Sequence, residues 1–164
     1  MLLELKKVFL NEGESLPFSY EMDMSGVSFA GATPFASPVE VEGRVENHLG
    51  IVELRAEVSF RYSAPCDRCA AETGRSFRFV FVHPVVTELK DDGDDEAVQA
   101  ENYAVDLDGL LRDDVLLELP TKYLCREDCR GLCPECGKNL NEGPCNCTVR
   151  QADPRLEVLK KLID

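Results

Sequence analysis

The sequence predicts an α+β fold, in which an antiparallel β-sheet of about five or six strands is partly covered by a helix and followed by a Cys-rich segment and a terminal helix. Three observations predict it. Apolar and polar residues alternate with period two from Val52 to Tyr62, leucines fall at helical spacing between Leu107 and Leu119, and six of the eight cysteines lie in residues 121–164. A chain of 164 residues, 44% hydrophobic and 30% charged, suits one compact domain or a domain with a small appendage. That composition excludes collagen-like repeats, coiled coil and disorder throughout.

Taken in order, residues 2–10 and 14–20 read as short strands, with a helix as the rival for 2–10. Val39, Val41 and Val45 share one parity of a third strand. After the turn signal His48-Leu49-Gly50, the apolar residues Val52, Leu54, Ala56, Val58, Phe60 and Tyr62 alternate with Glu53, Arg55, Glu57, Ser59 and Arg61. This is a long antiparallel strand with one buried face. Gly74 introduces Phe77, Phe79 and Phe81, then Val82, Val85 and Val86, with Val80 on the other parity. A strand apolar on both faces is expected to be central or covered by a helix. Residues 88–101 carry seven acids and one Lys, which reads as a solvated loop; its Asp91-Asp92-Gly93-Asp94-Asp95 core lacks the spacing of an EF-hand. Asp106 or Asp108 then caps a helix over 106–119, whose stripe is Leu107, Leu110, Leu111, Val115 and Leu119, ended by Pro120. Asp153 and Pro154 open a terminal helix bearing Leu156, Leu159 and Ile163, with Lys160 and Lys161 suiting its C-terminal dipole.

Charge divides the chain near Pro120. The total is −13, but residues 1–120 carry −14 and residues 121–164 carry +1. The expected organisation is an acidic β-rich domain, 1–120, with a metal-binding segment and helix, 121–164, packed on it. Such acidity excludes a uniformly basic nucleic-acid sleeve. No run of about 20 apolar residues is present to cross a membrane. The start MLLELKKVFL places Glu4, Lys6 and Lys7 where a signal peptide needs apolar residues, so a cytoplasmic location is expected. In a reducing compartment, closely spaced thiols point to metal or redox chemistry.

The decisive string is LCREDCRGLCPECGKNLNEGPCNC, residues 124–147. In Cys133-Pro134-Glu135-Cys136-Gly137 the two-residue spacer brings both sulfurs to one side of a turn that Pro134 pre-sets and Gly137 relaxes. Such knuckles are typical of structural zinc, which takes four thiolates at about 2.3 Å. The first ligand choice is Cys133, Cys136, Cys145 and Cys147; Cys129 is an alternative member. Cys66, Cys69, Cys125 and Cys129 then form a second site that would pin the segment to the sheet. Rival readings remain for Cys66 and Cys69, as a redox pair with Arg68 between them or as free buried thiols. A disulfide between neighbours one residue apart, such as Cys145 and Cys147, is strained. Lys122, Arg126, Arg130 and Lys138 either offset the surplus charge of about −2 on an all-thiolate zinc or present a small basic surface to a partner or RNA phosphate.

Nothing points to catalysis. His48 sits in a turn and His83 in a strand, no nucleotide-binding, hydrolase or metalloprotease motif is present, and the thiolate set is closed, whereas catalytic zinc keeps a position open.

Cys66-Asp67-Arg68-Cys69 after a strand, Leu119-Pro120, the Cys-rich string and Asp153-Pro154-Arg155 opening a Leu/Lys helix occur in fixed order over about residues 50–164. With these pieces the chain resembles the YceD-type family, proteins required for accumulation of large-subunit ribosomal RNA. The resemblance implies a non-enzymatic factor in rRNA synthesis, processing or ribosome assembly. Because an acidic body repels RNA phosphates, the expected partner is a ribosomal protein or pre-ribosomal particle, with any RNA contact confined to residues 121–161. The alternatives are a redox- or zinc-responsive regulatory protein and, third, a zinc ribbon contacting DNA through Tyr123 and the nearby cations.

Overall fold

A computed structural model describes residues 1–89 and 97–147. The chain runs β1 (Leu2–Glu4), α1 (Lys6–Leu10), β2 (Ser15–Met22), β3 (Val39–His48), β4 (Ile51–Pro65), β5 (Glu72–Val86), β6 (Val98–Gln99), β7 (Ala104–Asp106) and α2 (Leu107–Glu118). The fold is α+β. A five-stranded sheet has the order β2-β3-β4-β5-β6, and a separate antiparallel pair joins β1 to β7. All neighbours in the large sheet are antiparallel except β5 and β6, which are parallel. The helix expected over 153–163 and residues 90–96 of the acidic loop fall outside the described residues; Val98 and Gln99, near the end of that loop, form β6.

β4 follows its sequence pattern closely. Val52, Leu54, Ala56, Val58, Phe60, Tyr62 and Ala64 are all buried, and the residues between them face outward. Leu49 and Gly50, at φ 53° and 85°, turn β3 into β4 through a two-residue connection with both residues left-handed. That backbone matches the twist of the flanking strands. On β3 the buried set is Val39, Val41, Val45 and Asn47. Gly43 interrupts the valines because Phe18 of β2 occupies the space: a Cβ built on Gly43 would lie 2.6 Å from Phe18 Cζ. The buried Asn47 is satisfied, since Nδ2 donates to Val8 O at 2.8 Å and Oδ1 accepts from Gly50 N at 3.0 Å.

Residues 2–10 divide between the two readings of the sequence. Leu2–Glu4 is a strand, yet it pairs with β7 outside the main sheet, and Lys6–Leu10 is a helix that buries Val8. β5 is covered rather than central. Along Glu72–Pro84 its strand partner among the described residues is β4, and β6 joins only at Val85 and Val86. α2 lies against it, with His83 Nε2 2.8 Å from Asp114 Oδ2. Phe77, Phe79 and Phe81 form a half-buried aromatic row, while Val80 and Val82 on the opposite face are 47% and 44% exposed.

α2 starts where the cap was expected, at Asp106, whose side chain accepts from Asp108 N. Its buried stripe is Leu107, Leu111 and Val115, continued by Leu119. Met24 and Phe35, from the irregular stretch between β2 and β3, complete the core. Phe35 packs against Phe60 and Tyr62 with ring centroids 5.3 and 5.8 Å apart.

Candidate metal centres

The long β4–β5 hairpin carries its first cysteine pair at its tip. Cys66 N donates to Ala71 O and Ala70 N to Cys66 O, closing a turn in which Ala70 takes φ 54°. The segment after α2 is brought to this tip by a reciprocal clasp: Asp67 N donates to Tyr123 O at 2.9 Å, and Tyr123 N to Asp67 Oδ2 at 2.6 Å. The Tyr123 hydroxyl reaches into the hairpin and donates to Tyr62 O at 3.1 Å and towards Thr73 O at 3.3 Å. With Tyr123 fixed, Cys125 and Cys129 meet Cys66 and Cys69. Cys66 Sγ lies 3.8 Å from Cys129 Sγ, and Cys69 Sγ lies 3.7 Å from Cys125 Sγ. Cys66, Cys69 and Cys129 are buried and Cys125 is half-buried.

The second cluster is built by the knuckle. Gly137, at φ 71°, lets its N–H donate to Cys133 O, and Cys133 N donates to Lys138 O at 2.8 Å. Cys145 returns to within 3.4 Å of Cys133 sulfur to sulfur. Here Cys133 is buried, Cys145 half-buried, and Cys136 and Cys147 exposed.

The structure thus brings the eight cysteines together as Cys66, Cys69, Cys125 and Cys129 in one group and Cys133, Cys136, Cys145 and Cys147 in the other. Within each group the four sulfurs lie within 4.8 Å of one another. Four thiolates about 2.3 Å from a central ion stand roughly 3.8 Å apart at the corners of a tetrahedron. Both groups fit that size and could hold a metal ion.

Ionisation points the same way. Burial opposes charge on Cys66, but the amides of Cys125, Arg68 and Cys69 outweigh it and bring the thiol down to about 6. Amides of Cys136 and Glu135, with the Cys145 thiol, bring Cys133 down to about 7. Two of the remaining thiols resist: burial and the sulfurs of Cys129, Cys69 and Cys66 push Cys125 up to about 12, and Cys136 and burial push Cys147 up to about 12. Each cluster alone tolerates some thiolate charge and rejects more; a divalent cation would admit all four.

The four cations singled out in the sequence are all exposed. Two bond through their side chains within their own segment, and Arg130 through its backbone amide. Arg126 Nη2 donates to Asn141 Oδ1 at 2.8 Å, Arg130 N to the same oxygen at 2.8 Å, and Lys138 Nζ to Pro144 O at 3.0 Å. Arg68, read as a possible thiolate partner, instead directs Nη1 to Cys129 O at 2.9 Å, while its own carbonyl accepts from Leu132 N. Asn141 and Asp67 carry no motif signal, because their partners lie 12 and 56 residues away in the chain.

The chain is 28% identical over 129 residues to an uncharacterized protein of Bacillus subtilis, YlbN, covering 77% of this chain and 75% of that one. It is 30% identical over 129 residues to an uncharacterized protein of Mycobacterium tuberculosis, covering 76% of this chain and 62% of the relative. The chloroplastic large ribosomal RNA subunit accumulation protein YCED homolog 1 of Arabidopsis thaliana is 27% identical over 150 residues, covering 73% of this chain and 47% of its own length. The chain therefore spans less than two thirds of the latter two relatives. No solved structure matches it. The family described as large ribosomal RNA subunit accumulation protein YceD matches residues 54–163, a stretch that contains all eight cysteines. The chain belongs to the YceD family.

Proposed function

We propose that this protein is a non-enzymatic ribosome-biogenesis factor that supports large-subunit rRNA accumulation by binding a ribosomal protein or pre-ribosomal particle, with zinc in both four-cysteine groups. The observation that carries the reading is the pair of closed all-sulfur clusters, each at the size of a tetrahedral zinc site. Four thiolates leave no open position for substrate, and the two histidines lie elsewhere: His83 pairs with Asp114 and His48 is exposed at the end of β3. Zinc here braces residues 121–147 against the sheet and leaves a surface for a partner.

Charge selects the partner class. A chain of −13 repels rRNA phosphates and attracts basic proteins. Direct RNA contact, where made, uses Lys122, Arg126, Arg130 and Lys138 on the near-neutral segment. Pull-down of bare rRNA and of individual large-subunit proteins across a salt series tests this. Salt-sensitive capture of a basic ribosomal protein is expected; capture of bare rRNA by the outer face of β3 and β4 would overturn the reading. Elemental analysis should find two zinc ions per chain, with one lost in Cys66→Ser and one in Cys133→Ser. A second reading, a redox-responsive regulator, draws on the exposure of Cys136 and Cys147. It requires mild peroxide to release zinc and partner together.

A further inference from the structure

We propose that Asn141 couples the two four-cysteine centres, so that metal in the exposed centre strengthens metal binding in the buried one. This rests on the reading that both groups hold metal. Asn141 lies in the loop between Cys136 and Cys145, so its position depends on closure of the exposed centre. Its side chain serves the other centre. Nδ2 donates to Cys129 Sγ at 3.3 Å, and Oδ1 accepts from Arg130 N and Arg126 Nη2, each at 2.8 Å. One amide thus holds a sulfur of the buried group and also Arg126 and Arg130, which flank Cys129 on either side in the chain.

The loop fixes Asn141 from its own side as well. Asn141 N and Nδ2 both donate to Asn139 Oδ1, at 3.0 and 2.8 Å, and Leu140 N donates to Gly131 O at 2.9 Å. Leu132 pairs with Asn139 across the base of the knuckle, and Leu132 N donates to Arg68 O at the hairpin tip. An N–H donor to a thiolate draws off charge and orients the ligand; removing such outer partners typically weakens a metal by about 10–100-fold. When the exposed centre is empty, the loop loses its metal cross-link, and the buried centre must bear more of the cost of ordering Asn141. Coupling of this kind is reciprocal: metal in the buried centre also favours closure of the exposed one.

Full-length protein titrated with cobalt(II) against a competing chelator tests this. Wild type, Asn141→Ala, Cys136→Ser/Cys147→Ser and the combined variant form a double-mutant cycle. The Cys136→Ser/Cys147→Ser variant leaves Asn141 intact, and its remaining centre should bind cobalt at least about tenfold more weakly than the buried centre of wild type. Asn141→Ala should produce a similar loss in wild type and a much smaller one in the variant lacking the exposed centre. In protein loaded with cadmium-113, Asn141→Ala should move the resonance of the buried centre, a change that general loosening of the segment would not confine to one metal. Undiminished affinity in Cys136→Ser/Cys147→Ser, or additive losses around the cycle, would overturn the coupling. Wild type that takes up fewer than two equivalents would instead overturn the two-metal reading beneath it.

Discussion

At the scale of the residue, the core depends on a few positions whose neighbours leave no slack. Gly43 faces the buried side of β3 under the Phe18 ring and beside the backbone of Arg55, which cannot move without breaking the β3–β4 register. Gly43→Ala should therefore cost about 1–3 kcal/mol, read as a lower urea midpoint, and a wild-type midpoint would refute this packing. Tyr20 and Tyr62 act through pH. Burial, then the Asp108 carboxylate, raises the Tyr20 phenol, and burial, then Tyr123, raises that of Tyr62. Their folded-state values lie above the ordinary tyrosine value of about 10, so their contribution is complete below that pH and is lost as pH climbs through the raised values. Stability should fall on the alkaline side, with both phenolate absorbances appearing later than that of free tyrosine.

At the scale of the element, α2 couples local sequence to tertiary packing. Asp106 caps it, and its stripe of Leu107, Leu111 and Val115 lies on the sheet. Asp106→Ala should cost about 1 kcal/mol in chemical denaturation, the usual worth of an N-cap. An unchanged denaturation curve would mean that packing alone holds the first turn. The two elements read ambiguously from sequence show the reverse balance. Leu3, Leu5 and Val8 are all buried, but Leu3 points inward from a strand while Val8 does so from a helix three residues beyond Leu5. A run so short satisfies either period, and contact with β7 and Asn47 decides it. β5 suggested a strand either central or covered by a helix because both of its faces are apolar; α2 covers one face, and Val80 and Val82 on the other are exposed.

At the scale of the whole molecule, the sheet has its own core and the Cys-rich segment does not. The main apolar cluster runs from Leu3 to Tyr123, while Cys66, Cys69 and Cys129 form a separate small one with Leu124 and Cys125. Removing metal with a strong chelator should therefore strip amide protection from residues 125–147 and spare β3 and β4. Hydrogen exchange followed by NMR reads this directly; protection that persists in 125–147 without metal would show that the segment is held by something other than an ion.

By itself the sequence determined the alternation of β4, the cap and stripe of α2, and the groups of closely spaced cysteines, because each arises from residues a few positions apart. Period, capping and turn chemistry are local, and local patterns survive in a string of letters. Only the tertiary structure decided that Phe18 fills the space at Gly43, that Met24 and Phe35 close the core from an aperiodic loop, and that Asn141 reaches Cys129. Those contacts join residues far apart in the chain and leave no period behind. They exist only once the sheet has twisted and the Tyr123–Asp67 clasp has folded the Cys-rich segment back onto the hairpin tip.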